Sequence, residues 1–359
     1  MTLNRPDLAG LPEAVLEYIT ALEARVEEAE ARSAQRARRP ARGDADPYDE
    51  GDDGLSAEPS EPPTTSTVIT ISAAGVAKRT PRHLYARQRR GGMGVFDLES
   101  AAGDPPAFLL VADVSASLIL LTSHGRAFRM AVTDLAEGPV RARGQEILQG
   151  LPLRADERLR LVVPDLAGAY LVIVSERGQV RRIGAQYLGR NLNPGAILHD
   201  PKDGGAPAAA CWSSGSDDLL IVTRQGRAIR FPERLVPVRG CLGMRVEQGD
   251  PVAGVVAQQP DGAIFVLAAD GKGAVRALET FAANKAPGSG GKALMKTDDL
   301  IAALPAGSQI DLFAISRLGK IIRFRADEVP PKEGPVQGVN CMALRADQCV
   351  AGAAVALSP

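Results

Sequence analysis

Nowhere does the chain hold about 18 consecutive uncharged apolar residues, which excludes a conventional membrane-spanning helix, and its start, MTLNRPDLAG, lacks the basic-then-apolar order of a secretory leader. A cytoplasmic protein with no membrane partner is expected. Histidine and cysteine are scarce, at three and four of 359 residues. Cys211, Cys241, Cys341 and Cys349 form no C-x-x-C pair and lie far from His83, His124 and His199, so neither a metal nor any other cofactor is expected. The thiols read as reduced and partly buried. No G-x-x-x-x-G-K-[ST] loop occurs and no nucleophile–base pair converges, so no catalytic residue is assigned and an independent enzyme is not expected.

What the chain has in quantity is turn-forming residues, 37 Gly and 26 Pro, beside 45% hydrophobic residues, the composition of closely spaced short strands. Its formal net charge of −1 hides an asymmetry. Residues 1–66 hold 7 Arg, no Lys and 15 acidic residues, whereas the remainder holds 35 basic and 28 acidic residues. A basic main domain behind an acidic N-terminal segment points to a polyanionic partner.

Residues 1–40 read as an amphipathic helix. Val15, Ile19, Leu22, Val26 and Ala29 share one stripe, Pro12 suits a first turn and Pro40 ends the run. The stripe is short for a coiled coil, so it pairs with a second copy or stays as a solvated or self-docked helix. Residues 41–66 combine acidic residues with Pro, Gly and Ser and read as disordered linker, either a solubilising tether or a competitor for the basic domain's ligand.

From residue 67 to 359 the sequence repeats. VITISAAGVAKR, LILLTSHGRAFR, LVIVSERGQVRR, LLIVTRQGRAIR, IFVLAADGKGAVR and LFAISRLGKIIR each join two β-rich runs by a turn ending in glycine. Those glycines are Gly75, Gly125, Gly178, Gly226, Gly271 and Gly319, 45 to 53 residues apart. One hairpin cannot bury its own apolar face, but six stacked around an axis can, so the spacing predicts an all-β, six-bladed propeller of four-stranded blades.

Arg79, Arg129, Arg182, Arg230 and Arg323 follow their glycines by four residues and Arg276 by five, with further cations at Lys78, Arg126, Arg181, Arg227, Lys272 and Lys320. In register around a ring they would form a cationic track on its outer rim; singly, each reads as edge protection. The densest basic stretch, AKRTPRHLYARQRRGGMG, adds Arg82, Arg87, Arg89 and Arg90 ahead of a glycine cluster, a combination suited to clamping phosphate without reading sequence.

GVAKRTPRHLYARQRRGGMG resembles the first blade of the DNA gyrase A C-terminal domain, and Gln88, Arg89, Arg90, Gly91, Gly92, Met93 and Gly94 are similar to that family's box, Q-R-R-G-G-[KR]-G, at six of seven positions. RFPERLVP at 230–237 and EVPPKEGPVQGV at 328–339 extend the resemblance over all six repeats. It implies a six-bladed β-pinwheel whose basic rim wraps double-stranded DNA, with the box required for the chiral wrap. Met93 stands where the family carries a cation, which implies one phosphate contact fewer. The family's breakage–reunion region would need several hundred residues before the propeller, and 66 precede it here, so a standalone, non-catalytic DNA-binding and DNA-bending module of the nucleoid is expected, with gyrase subunits or a second copy as further partners. The alternative is a protein-docking platform or gyrase accessory protein that no longer wraps DNA.

Overall fold

The computed structural model describes residues 61–357. The helix read over residues 1–40 and most of the linker lie outside the described residues.

Six four-stranded antiparallel sheets form six blades. In blade 1 the order from the axis outward is Pro106–Asp113, Ser66–Ser72, Val76–Pro81 and Gln145–Glu146. The second and third strands are the hairpin read from the sequence. The first is the strand that follows it, and the fourth is a two-residue strand donated by the next repeat. Blades 2 to 5 repeat the order, with Ala196–Ile197, Cys241–Leu242, Lys292–Ala293 and Val339–Asn340 as the donated strands. Blade 6 has no following repeat. Its fourth strand is Val95–Phe96, supplied by repeat 1, and this closes the ring. The innermost strands of successive blades lie against one another all the way round, Cys349–Ala356 meeting Pro106–Asp113.

Stacking explains why the hairpins' first strands are apolar without alternation: each is covered on both faces by neighbouring blades. Leu118, Ile119, Leu120 and Leu121 are all essentially inaccessible, as are Leu219 through Val222. The turns share a device that the sequence states openly. In five repeats a Ser or Thr three residues before the marker glycine accepts a hydrogen bond from the amide just after it: Ser72 from Val76, Thr122 from Arg126, Ser175 from Gln179, Thr223 from Arg227 and Ser316 from Lys320. Repeat 5 has Ala268 there, and Asp270 accepts from the Lys272 amide instead.

The marker glycine has a second role, set by strand donation. Gly178 has φ +82°, and a Cβ built on it would lie 2.0 Å from the Met244 carbonyl oxygen; Gly226 meets Met295 the same way. The donated segment runs so close over the turn that only glycine leaves room, and the Met244 amide donates to the Gly178 oxygen.

Candidate nucleic-acid interface

The third strand of each blade carries the arginines four residues beyond the marker glycine, and the structure turns most of them inward. Arg79 donates to the Leu135 carbonyl at 3.0 Å, Arg182 to Val236 at 2.8 Å, Arg230 to Phe281 at 3.1 Å and Arg323 to Tyr85 at 3.1 Å. Each acceptor ends the short 3₁₀ turn of the following repeat. The recurring arginine is therefore a staple that satisfies open turn carbonyls across a blade boundary. Arg276, one residue out of register, does comparable work on Leu294 (2.9 Å) and Gly334. Of the expected third-strand cations, Arg129, Arg181 and Lys272 are exposed, Arg129 near Asp165 at 3.4 Å and Lys272 on Asp270 at 2.7 Å.

The expected outer track over Lys78, Arg82, Arg230, Arg276 and Arg323 thus does not form, because these side chains are buried. Burying a cation is costly unless it is paired, and most of them are. Lys78 donates to Asp97 at 2.7 Å, to Thr80 at 3.0 Å and to the carbonyls of Pro139 and Val140. Burial lowers its pKa, against the opposing pull of Asp97. Tyr85 donates to the same carboxylate at 2.6 Å, and burial, helped by the Asp97 charge, pushes its hydroxyl well above the ordinary value. Arg230 pairs with Asp218 at 2.7 Å. Arg323 pairs with Asp311 at 2.5 Å and Glu61 at 2.9 Å. Arg82 meets Glu61 at 2.9 Å, and Arg87 meets Asp311 at 2.9 Å. Glu61, expected in the linker, is thus a half-buried clamp on two arginines.

The box leads directly into the strand that closes the ring, and its backbone sews two repeats together. Gln88 N donates to Arg323 O at 2.8 Å, Gly91 N to Cys341 O at 2.8 Å, and Ala343 N to Gly92 O at 2.9 Å. The Gln88 side chain accepts from Gly94 N at 3.2 Å and ties the loop across its ends. At Gly94, φ is +70° and a Cβ would lie 2.5 Å from the Ile321 carbonyl oxygen, so the loop passes blade 6 at a distance only glycine permits. Arg90 is engaged, its amide on the Glu328 carboxylate and its guanidinium on the Glu328 and Asn340 carbonyls. Arg89 points into solvent, and Met93 is 38% exposed.

Beside exposed cations elsewhere, among them Arg154, Arg177, Arg224 and Arg317, the structure shows a set that sequence reading missed further along each repeat, in or just before the donated strand. The set is Arg141 and Arg143 in repeat 2, Arg190 in repeat 3, Arg234 and Arg239 in repeat 4, Lys285 and Lys292 in repeat 5, and Lys332 in repeat 6, joining Arg89 of repeat 1. These segments form the outer edge of every blade and overlap in places, Leu98–Glu99 pairing in parallel with Ala142–Arg143. Charge varies around the perimeter. Residues 82–96 hold four arginines and no acidic residue, whereas residues 326–342 hold one lysine and three acidic residues. Two-residue strands inside polar loops carry no periodicity, so nothing in the sequence marked these cations as peripheral.

The family described as DNA gyrase C-terminal domain, beta-propeller, matches at residues 66–98, 116–163, 217–255 and 311–355. The DNA gyrase A protein of Mycolicibacterium smegmatis (strain ATCC 700084 / mc(2)155) is 28% identical over 293 residues, 77% of this chain and 34% of that one. Residues 66–355 are a propeller of the gyrase A C-terminal type. The gyrase A protein of Escherichia coli (strain K12) is 27% identical over 297 residues, covering 79% of this chain and 34% of its own. The chain thus spans about a third of the length of the curated relatives it matches. A solved gyrase A C-terminal domain shares the fold at a TM-score of 0.71 and 17% identity, over 80% of this chain and 99% of that one. In this gyrase-type propeller the box is the splice between the first repeat and the sixth blade, and Met93 sits on the solvent side of that splice.

Proposed function

We propose that this propeller binds duplex DNA without reading its sequence and bends it along the perimeter built by the donated strands. The observation that carries the reading is that all six repeats present at least one exposed Lys or Arg in or before the donated strand, with the box loop the most basic. Cations spaced around a convex edge neutralise phosphates on one side of a duplex, and the released counterions drive binding. Bending a site of 20–30 base pairs costs on the order of 1–6 kcal/mol, so contacts from several blades must act together. The acidic sixth-repeat loop is where the duplex would leave the rim. The role is architectural and non-catalytic: the propeller shapes DNA in the cytoplasm for a topoisomerase of the gyrase kind, whose subunits are the natural protein partners.

The test is binding of the full chain to relaxed plasmid over a salt series, with topoisomerase I present to trap any wrap as a linking-number change. Steep salt dependence with trapped supercoils of one sign is the expected result. No binding at low salt would overturn the reading. A second reading, a protein-docking rim, draws support from the apolar residues Ile197, Tyr187 and Val238, which are 66%, 66% and 86% exposed in the perimeter segments of repeats 3 and 4. Val238→Asp separates the two: loss of a gyrase-subunit complex with DNA binding intact would favour docking.

A further inference from the structure

Position 93 carries a thioether, yet the space around it is not short of charge. The backbone bonds from Gly91 to Cys341 and from Ala343 to Gly92 lay residues 341–345 of the sixth repeat along the box. At the end of that stretch Arg345 reaches back, its Nη2 3.9 Å from the Met93 sulfur. Arg345 is exposed, and among the described residues no carboxylate lies within ion-pair distance of it. Asp347, two residues on, is turned inward: its Oδ1 accepts from the amides of Leu318 at 3.2 Å and Gln348 at 2.8 Å, and its Oδ2 is buried. A thioether is a weak, neutral acceptor, so it orients the guanidinium without cancelling its charge.

We propose that Arg345 is a phosphate-binding residue of the rim, supplying across the ring seam the cation that the box lacks at position 93. Arg89 and Arg345 then grip one DNA backbone from two different repeats, one each side of the closure. The guanidinium suits the role because it offers paired donors to phosphate oxygens. Met93 is its support, an apolar rest for a long side chain. The inference builds on the DNA-binding reading above and adds a contact that the box alone does not contain.

The test compares the full chain with three variants on relaxed plasmid over a salt series. Arg345→Ala should weaken binding severalfold near physiological salt and flatten the log–log salt dependence by about 0.9, the worth of one phosphate contact. Lys202→Ala removes an exposed charge outside the donated-strand segments and should leave the slope nearly unchanged. Adding Met93→Lys to Arg345→Ala should return the slope to its original value. A melting curve verifies that each variant is folded, with Arg345→Gln read in place of the alanine if that variant melts early. Should Arg345→Ala behave like the unaltered protein or like Lys202→Ala, or should Met93→Lys fail to restore it, the inference is wrong while the DNA reading stands. An unaltered chain that binds no DNA at low salt overturns both.

Discussion

Two blade boundaries use the same arginine staple to different ends. Between blades 4 and 5 the chain is continuous, and Arg230 ties Asp218 to the carbonyls of Leu278, Phe281 and Pro260. Between blades 6 and 1 the repeats are not consecutive in sequence, and Arg323 does the corresponding work on Asp311, Arg82 and Tyr85. There the structure adds Glu61 across Arg82 and Arg323, Arg87 on Asp311, and an edge-on contact of Tyr85 with Phe313, ring centroids 5.9 Å apart. Where the sixth repeat meets the first, the repeat's ordinary staple has become a five-member charge network. The lesson is that a closed ring concentrates its specialised residues at the joint, and that the box is part of that joint.

The largest contrast should come from the staples themselves. Arg323→Ala leaves the Asp311 and Glu61 carboxylates without their shared partner and is expected to cost about 3–5 kcal/mol by chemical denaturation. Arg230→Ala should cost about 1–2 kcal/mol less, since it breaks one ion pair where Arg323→Ala breaks two. Equal losses at the two boundaries would mean that the extra carboxylate adds nothing to the seam.

Next in size is a pair of glycines, both with positive φ. Gly94→Ala adds a clash with the Ile321 carbonyl to its backbone strain and should cost on the order of 2–4 kcal/mol, releasing the closing strand. Gly249→Ala, with φ +83° but open space around it, should cost only about 1 kcal/mol.

The Glu61 clamp should depend on acidity. Burial, the largest single influence on Glu61, raises its pKa, but hydrogen bonds from Arg323 and Arg82 and their charges together outweigh it and hold the carboxyl below its ordinary 4.5. A carboxyl depressed in the folded state stabilises above its unfolded pKa and loses that contribution as pH falls through the folded value. Glu61→Gln should therefore lower stability by roughly 1–3 kcal/mol at neutral pH and converge on the unaltered protein in acid, as read from melting temperatures across pH. A constant gap down to strongly acidic pH would mean that packing, not charge, makes the clamp.

The smallest expected change in stability, and a clear one in binding, belongs to the perimeter. Lys285→Ala with Lys292→Ala should move stability by no more than about 0.5 kcal/mol while reducing the salt slope for DNA by nearly two phosphate contacts. Had the rim been built from the buried staples instead, the same pair would leave DNA binding untouched.

Much of the fold was legible because it is local chemistry repeated. The Ser/Thr-x-x-Gly turn, the apolar strand before it and a period near 48 residues are visible in the one-dimensional string, and they predict the hairpins and their number. The box too was legible, as a basic run before glycines. The direction of the arginines was not. An arginine near the end of a β-strand looks the same whether the next element over it is water or a 3₁₀ turn, and only the stacking of Val132–Asp134 or Glu233–Leu235 over its neighbour decides.

By itself, then, the sequence determined the hairpin unit, its turn chemistry and the sixfold count, all of which depend on residues within about a dozen positions of one another. The tertiary structure decided which cations face water, which residues close the ring, and that Arg345 comes to rest on Met93, 252 positions away in sequence. These outcomes depend on strand donation and ring closure, which bring together segments whose proximity no local pattern encodes.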